Sequence, residues 1–229
     1  MKREILTTFD GSTTIHLPEW DESYHSKHGA IQEAYHVFIK SGFSLLASPV
    51  LENSPEAKFI SILEIGFGTG LNAFITYLEA EKANKYVDYV GVEAYPVLLD
   101  EALQMNYVSE LKVSEKAPIF NRMHQVSWNE KQVISEHFNL TKRKQFFQDI
   151  SDIDQYDLIY FDAFGFRVQP ELWSVELFHK MYTSLKSGGI LVTYACRGSI
   201  KRAMFACGFQ VEKLPGAPGK REMLRGIKI

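Results

Sequence analysis

One run constrains this chain more than any other: Phe59-Ile-Ser-Ile-Leu-Glu-Ile-Gly-Phe-Gly-Thr-Gly-Leu-Asn72. An apolar stretch suited to a buried parallel strand ends in three alternating glycines, Gly66, Gly68 and Gly70, and the residues from Leu71 onward read as a helix. Glycines at a strand-to-helix turn let a ligand approach the backbone, and the helix start offers unpaired N–H groups. In open α/β sheets such a turn is a nucleotide-binding site. A plain tight turn is the simpler alternative.

The spacing narrows the ligand. A dinucleotide fingerprint needs its third glycine five positions after the first, where this chain has Leu71. Here Glu64 precedes the loop, giving Glu-x-Gly-x-Gly-x-Gly. That pattern resembles motif I of class I S-adenosylmethionine methyltransferases, which bind an amino acid and a nucleoside without a pyrophosphate.

The flanking pattern agrees. Strand-like runs cover residues 59–65, 86–92, 119–126, 144–147, 158–161 and 190–194, and helix-like runs cover 71–82, 96–108, 130–138, 171–185 and 197–207. Strands alternating with helices predict βαβ units and an α/β, Rossmann-like sheet, mostly parallel, with helices on both faces. Residues 209–214 and 221–229 read as a closing antiparallel hairpin around Pro215-Gly-Ala-Pro-Gly219. Ahead of the sheet, residues 5–17 read as a hairpin turning at Asp10-Gly11, and the second half of 19–48 looks helical. The expected division is an N-terminal hairpin and helical extension, 1–56, packed on a catalytic domain, 57–229.

With 229 residues and a hydrophobic fraction of 45%, a sizeable core is available. The first residues lack the apolar core of a signal peptide, and no apolar run of about 18 residues is present to span a membrane. Two cysteines, Cys196 and Cys207, fit a reducing compartment, so a cytoplasmic location is expected. His25 and His28 stand at i, i+3, but nothing nearby completes a metal site, and none is expected.

Ligands in such sheets lie beyond the carboxyl ends of the strands. The second strand ends at Glu93, placed to accept both hydroxyls of a ribose. The third ends at Gln148-Asp149-Ile150, where Asp149 could accept from an adenine amino group while Ile150 packs on the ring. The fourth ends at Asp162. Singly, each acid is more often a helix cap or a solvated loop charge; three at one edge favour ligand work.

These residues, with others, resemble the methyltransferase domain of the MnmC tRNA-modification family and its stand-alone version. The resemblance runs through Asp21-Glu-Ser-Tyr-His-Ser26, Glu64–Asn72, Val92-Glu-Ala-Tyr-Pro96, Gln148-Asp-Ile150, Phe161-Asp-Ala-Phe164, Pro170-Glu-Leu-Trp173 and Gly188-Gly-Ile-Leu-Val-Thr-Tyr194. Its most specific piece is Ala206–Gly216 followed by Gly219-Lys-Arg-Glu-Met-Leu-Arg-Gly226. It implies S-adenosyl-L-methionine as cofactor, S-adenosyl-L-homocysteine as product, and contacts from Glu64, Gly66, Gly68, Gly70, Leu71, Asn72, Glu93, Asp149, Ile150 and Asp162. It further implies methylation of the primary amine of 5-aminomethyl-(2-thio)uridine at the wobble position, in the anticodon loop of tRNA. In two-domain members a flavin-dependent oxidase exposes that amine. No second glycine fingerprint is present here, so methylation alone is expected, without flavin, on a substrate made by other enzymes.

The nucleophile must be a neutral amine. An aliphatic amine has a pKa near ~10, so holding it neutral at pH 7 costs about 4 kcal/mol. A neighbouring carboxylate favours the ammonium. Asp162 is therefore assigned two tasks, drawing the amine into line and accepting its proton; water exclusion and a nearby sulfonium must offset its pull. Capping the loop at Phe164 is the simpler role for this acid.

Phe164, Phe166 and Trp173 follow Asp162 and could stack on the base, worth about 1–3 kcal/mol; Trp173 equally suits packing of the next helix. The loop 162–170 departs from the family at Ala163, Phe166 and Gln169, which stand where glycine, proline and asparagine are usual.

The chain carries −3 overall, yet residues 196–229 hold eight Lys/Arg against two Glu, a net of +6 (8 − 2). That asymmetry could make a phosphate-binding face through Lys201, Arg202, Lys220, Arg221 and Arg225, and Lys142-Arg143-Lys144 is a second basic run. Tyr24 and His28 would face the ligand if residues 19–48 close over it. Two rival readings remain: a small-molecule amine methyltransferase or aminopropyltransferase-like enzyme on the same fold, and a non-catalytic RNA-binding module. Intact Glu93, Asp149 and Asp162 speak against the latter.

Overall fold

The computed structural model describes residues 2–47 and 59–229. The N-terminal part opens with β1 (Glu4–Thr7), β2 (Thr13–Leu17) and β3 (Glu22–Ser23), a three-stranded antiparallel sheet. The turn at Asp10-Gly11 joins β1 to β2, as read from the sequence. There Asp10 accepts the Thr8 hydroxyl at 2.8 Å and the Ser12 amide at 3.1 Å. Its other oxygen accepts the Gln32 amide at 3.0 Å, so the turn also anchors α1 (Ala30–Ala34). That helix continues as a π-helix over Tyr35–Phe43 and closes as α2 (Ser44–Leu46). The boundary expected between residues 56 and 57, like Ser48, lies outside the described residues.

The main sheet contains β4 (Phe59–Ile65), β5 (Tyr86–Glu93), β6 (Lys131–Ser135), β7 (Phe138–Lys144), β8 (Tyr156–Phe161), β9 (Leu185–Thr193), β10 (Phe209–Pro215) and β11 (Glu222–Lys228). Their order is β10-β11-β9-β8-β4-β5-β7-β6. The five central strands are parallel, and β11, β10 and β6 pair antiparallel at the two edges. The α/β sheet with its closing hairpin is thus the one expected from the sequence. β4 lies between β5 and β8, so the chain leaves it in one direction and later returns on its other side. This is the switch point at which open sheets bind ligands.

Strand alternation divides the core. On β4, Ile60 and Ile62 face one layer and Leu63 and Ile65 the other; β8 repeats this with Leu158 and Tyr160 against Ile159 and Phe161. The first layer is covered by the N-terminal helices, α3 (Leu71–Ala83) and α6 (Ala117–Gln125), the second by α7 (Val175–Ser184) and α8 (Gly198–Ala206). Ile15 and Leu17 of the small sheet share the first layer.

Several elements differ from expectation. Residues 119–126 form α6, not a strand: Ile119, Phe120, Met123 and Val126 recur at helical spacing, and Phe120 and Met123 are the buried pair. Residues 130–138 form the β6–β7 hairpin, not a helix. There Phe138, Leu140 and Lys142 point inward, and a buried lysine in the third inward position hides the period-2 signal. The third strand consequently ends at Lys144, and Phe147–Asp149 is a 3-10 turn. The helix expected over 96–108 is two short pieces, α4 (Leu99–Ala102) and α5 (Tyr107–Glu110).

Candidate active site

A cavity of ≈ 1100 Å³ opens beyond the carboxyl ends of β4, β5, β8 and β9. Its floor is the glycine turn. The amides of Gly66 and Phe67 both donate to the Val92 carbonyl at 3.0 Å, which folds the turn back over β5. Gly66 has φ +91°, and a Cβ there would stand 2.6 Å from the Asp162 carbonyl oxygen. Only glycine permits that approach. At Gly68 a Cβ would meet the Tyr24 ring at 3.0 Å, on the cavity side. Gly70, at φ +72°, starts α3 and faces His124 instead of the cavity.

Glu93, at the end of β5, accepts the Gly68 amide at 3.1 Å and the Tyr95 amide at 3.0 Å. Burial raises its pKa, and these two backbone donors oppose the rise. Its carboxylate is thereby oriented at the rim of the glycine turn.

Asp162 ends β8, its amide donating to Ile65 at 2.9 Å. Asn72, in the first turn of α3, donates through Nδ2 to Asp162 Oδ2 and to Glu64 Oε1, both at 2.9 Å. One amide therefore ties two carboxyl groups from adjacent strands. Glu64 is 1% exposed, and burial pushes its pKa well above the usual carboxylate range, while the Asn72 amide opposes the rise. Asp162 is pushed up to about 7, chiefly by loss of solvent and then by Glu33, while Asn72 and Lys220 pull it down. A carboxylate with that pKa is poised to take a proton near neutrality. Glu64 Oε2 and Asn72 Oδ1 are buried with no hydrogen-bond partner among the described residues.

The N-terminal part forms the roof. Tyr24 meets Phe164 edge-on at 5.0 Å, and Trp20 does so at 5.8 Å. Burial and then Glu93 push the Tyr24 phenol up to about 12, so it stays neutral. Arg3 binds Glu101 at 2.8 Å and the Tyr95 carbonyl at 3.1 Å, tying β1 to the loop after β5.

The structure thus brings Tyr24, His28, Glu64, Gly66, Gly68, Leu71, Asn72, Glu93, Asp162, Phe164 and Lys220 to one cavity. Others singled out in the sequence lie elsewhere. Asp149 is exposed, and Ile150 is 1% exposed in the second core layer; Phe147 and Gln148 line the cavity instead, because the 3-10 turn rotates the strand end. Trp173 is core, packed on Phe161 at 5.1 Å, its indole N–H donating to the Phe164 carbonyl at 2.9 Å. Phe166 lies off the cavity under Arg197, at 4.3 Å. Arg221 is exposed outside it. Lys220 does not face solvent freely: its Nζ pairs with Glu33 at 2.5 Å. Glu33 and Tyr194 are wall residues to which the sequence reading assigned no role.

The basic surface is narrower than the charge count suggests. Arg225 pairs with Glu212, Lys213 with Glu222 and Lys228 with Asp154, each at 2.7 Å. In the second basic run Arg143 pairs with Asp152 and Lys142 is buried, which leaves Lys144 as its exposed member. Lys201, Arg202 and Arg221 have no carboxylate partner among the described residues. Of the two histidines at i, i+3, His25 shares a hydrogen bond with the Thr14 hydroxyl at 3.0 Å and His28 packs on Phe9. Among the described residues no group of three or more His, Cys, Asp or Glu could hold a metal ion, and no helix is long and apolar enough to cross a membrane.

Residues 120–229 match the model of a family described as S-adenosyl-L-methionine-dependent methyltransferase. Along 96% of its length the chain is 28% identical to the tRNA 5-methylaminomethyl-2-thiouridine biosynthesis bifunctional protein MnmC of Paraburkholderia xenovorans, covering 34% of that protein. It is 29% identical to the MnmC of Magnetococcus marinus over 93% of the chain and 32% of the relative. The chain therefore spans about a third of the length of these curated relatives. Its fold matches that of MNMC2 from Aquifex aeolicus with a TM-score of 0.72 at 24% identity, over 98% of this chain and 70% of that one. The chain is thus similar in sequence along nearly its whole length to the methyltransferase-sized part of the MnmC proteins, and its residues 120–229 match the S-adenosyl-L-methionine-dependent methyltransferase model.

Proposed function

We propose that this protein methylates the primary amine of 5-aminomethyl-(2-thio)uridine at the tRNA wobble position, using S-adenosyl-L-methionine. One observation carries the reading: the glycine turn, Glu93 and a proton-accepting Asp162 share one cavity in a chain related to MnmC. The residues suit that cofactor. Gly66 and Gly68 leave the backbone approachable, Glu93 would accept the ribose hydroxyls, and the unpartnered Glu64 and Asn72 oxygens are available to donors. For the adenine, Phe147 and Gln148 are better placed than Asp149 and Ile150. When bound, the cofactor supplies an electrophilic methyl group on a sulfonium and leaves as S-adenosyl-L-homocysteine.

Asp162 draws the amine into line and takes its proton as the N–C bond forms. Asn72 holds the carboxylate in place, and the Tyr24–Phe164–Trp20 roof excludes water. Phe164, at the cavity edge, offers the stacking surface for the base. Lys201, Arg202 and Arg221, with Arg197 above Phe166, would meet tRNA phosphates. On this reading the amine is supplied by the enzymes that install the aminomethyl group. The expected location is the cytoplasm, where tRNA is modified.

Labelled methyl transfer from S-adenosyl-L-methionine to bulk tRNA lacking this modification tests the reading. Label is expected in 5-methylaminomethyl-(2-thio)uridine. Asp162→Asn should lose transfer by at least about 100-fold while retaining S-adenosyl-L-homocysteine binding. Label absent from tRNA but present in small amines would move the function to the small-molecule class.

A further inference from the structure

Glu33 and Lys220 come from opposite ends of the chain and meet at the cavity wall. Glu33 belongs to α1; Lys220 sits in the turn between β10 and β11. Lys220 Nζ stands 2.5 Å from Glu33 Oε1 and 3.8 Å from the centre of the Tyr194 ring. The other Glu33 oxygen accepts the Ser26 amide at 2.9 Å. The Tyr194 hydroxyl donates to the carbonyl of Ala163, the residue after Asp162, at 2.8 Å. Glu33 is 8% exposed, and all three side chains line the cavity with Asp162.

This is an unusual place for a partly buried ion pair, the Lys220 side chain being 32% exposed and that of Glu33 10%. Such pairs contribute little net stability over apolar side chains of the same size, while losing one partner is costly. Its position on the cavity wall calls for a role in the site. We propose that Glu33 and Lys220 are positioning residues for the transfer: a charge-cancelled pair beside Asp162 that lets the acceptor amine bind neutral. The inference rests on the amine-methylating reading above. Two uncompensated carboxylates around one amine would hold it as ammonium, which has no lone pair for attack. Lys220 removes one of those charges. Tyr194, packed under the ammonium and bonded to Ala163, keeps the pair and the Asp162 strand end in register.

The remaining groups around Asp162 are accounted for. Burial raises the pKa of Glu64 on β4 and favours its neutral form, Asn72 on α3 is neutral, and the phenols of Tyr89 on β5 and Tyr194 after β9 are raised by burial. The Glu33–Lys220 pair acts on Asp162 in opposite directions, Glu33 raising its pKa and Lys220 lowering it.

The test is the titration of Asp162 in the ligand-free protein, followed by carboxyl carbon NMR and assigned by the resonance lost in Asp162→Asn. Lys220→Met should raise the midpoint by about one pH unit and Glu33→Gln should lower it by about as much. The double variant Glu33→Gln/Lys220→Met should return close to wild type, as should Lys220→Arg. If Lys220→Met does not fold, Lys220→Gln keeps a donor for Glu33 without the charge and should give the same upward shift. Unmoved midpoints, or shifts of the same sign in both single variants, overturn the proposal. So does a reduced salt dependence of the tRNA KM in Lys220→Gln, which would make Lys220 a phosphate contact. The titration needs no acceptor: a wild type that leaves tRNA unmethylated rejects the functional reading, while the midpoints alone decide the charge-cancelled pair.

Discussion

Lys142 sits in an environment at odds with its charge. It is 1% exposed, donates to the His124 carbonyl at 2.7 Å and lies 4.9 Å from the centre of the Trp128 ring. Burial without a carboxylate lowers its pKa from 10.5 to about 8. The unfolded chain therefore binds more protons than the fold between those values, and stability rises with pH across that window. Relative to Lys142→Met, the wild type should gain on the order of 1–2 kcal/mol between pH 7.5 and 10. Urea denaturation at those pH values checks this; parallel curves for the two proteins would show that Lys142 keeps an ordinary pKa.

At the scale of elements, α8 carries the surface prediction. It follows β9 at the ligand edge, and Arg197 at its start lies over Phe166. Lys201 and Arg202 project from it without carboxylate partners. Reversing both charges should raise the tRNA KM by about tenfold or more, lessen its salt dependence and leave S-adenosyl-L-homocysteine affinity unchanged. An unchanged KM would place the RNA elsewhere. Charge counting alone drew Lys220 and Arg225 into this face: Lys220 is paired with Glu33, 187 residues away, and Arg225 with Glu212, its cross-strand neighbour in the closing hairpin. The same limit explains the misread β6–β7 hairpin, whose pattern depends on a lysine being buried. Helix α6 was misread for a different reason: its apolar residues recur at helical spacing, yet the short run was read as a strand.

For the whole molecule, one core joins the small sheet to the large one. Ile15 and Leu17 pack in the same layer as Ile60, Ile62 and Leu158, and cavity residues run from Arg3 to Lys220. The protein should therefore melt in a single transition. S-adenosyl-L-homocysteine at about 100 times its Kd should add about 2.7 kcal/mol to that transition as a unit. Calorimetry showing two transitions, with only one moved by the ligand, would make the N-terminal part an independent body.

The strand-glycine-helix turn, the α/β class, the closing hairpin and the placing of Glu93 and Asp162 at strand ends were determined by sequence alone, because each depends on local periodicity or on a strand end, whereas the elements over 96–138 were not. Tertiary structure decided the rest. It turned Asp149 outward, put Trp173 into the core and drew Lys220 from the presumed RNA face to a wall shared with Glu33 and Tyr194. Those placements depend on which strands lie side by side and on which charges lose water together. Both are properties of contacts between distant residues, which no local pattern encodes.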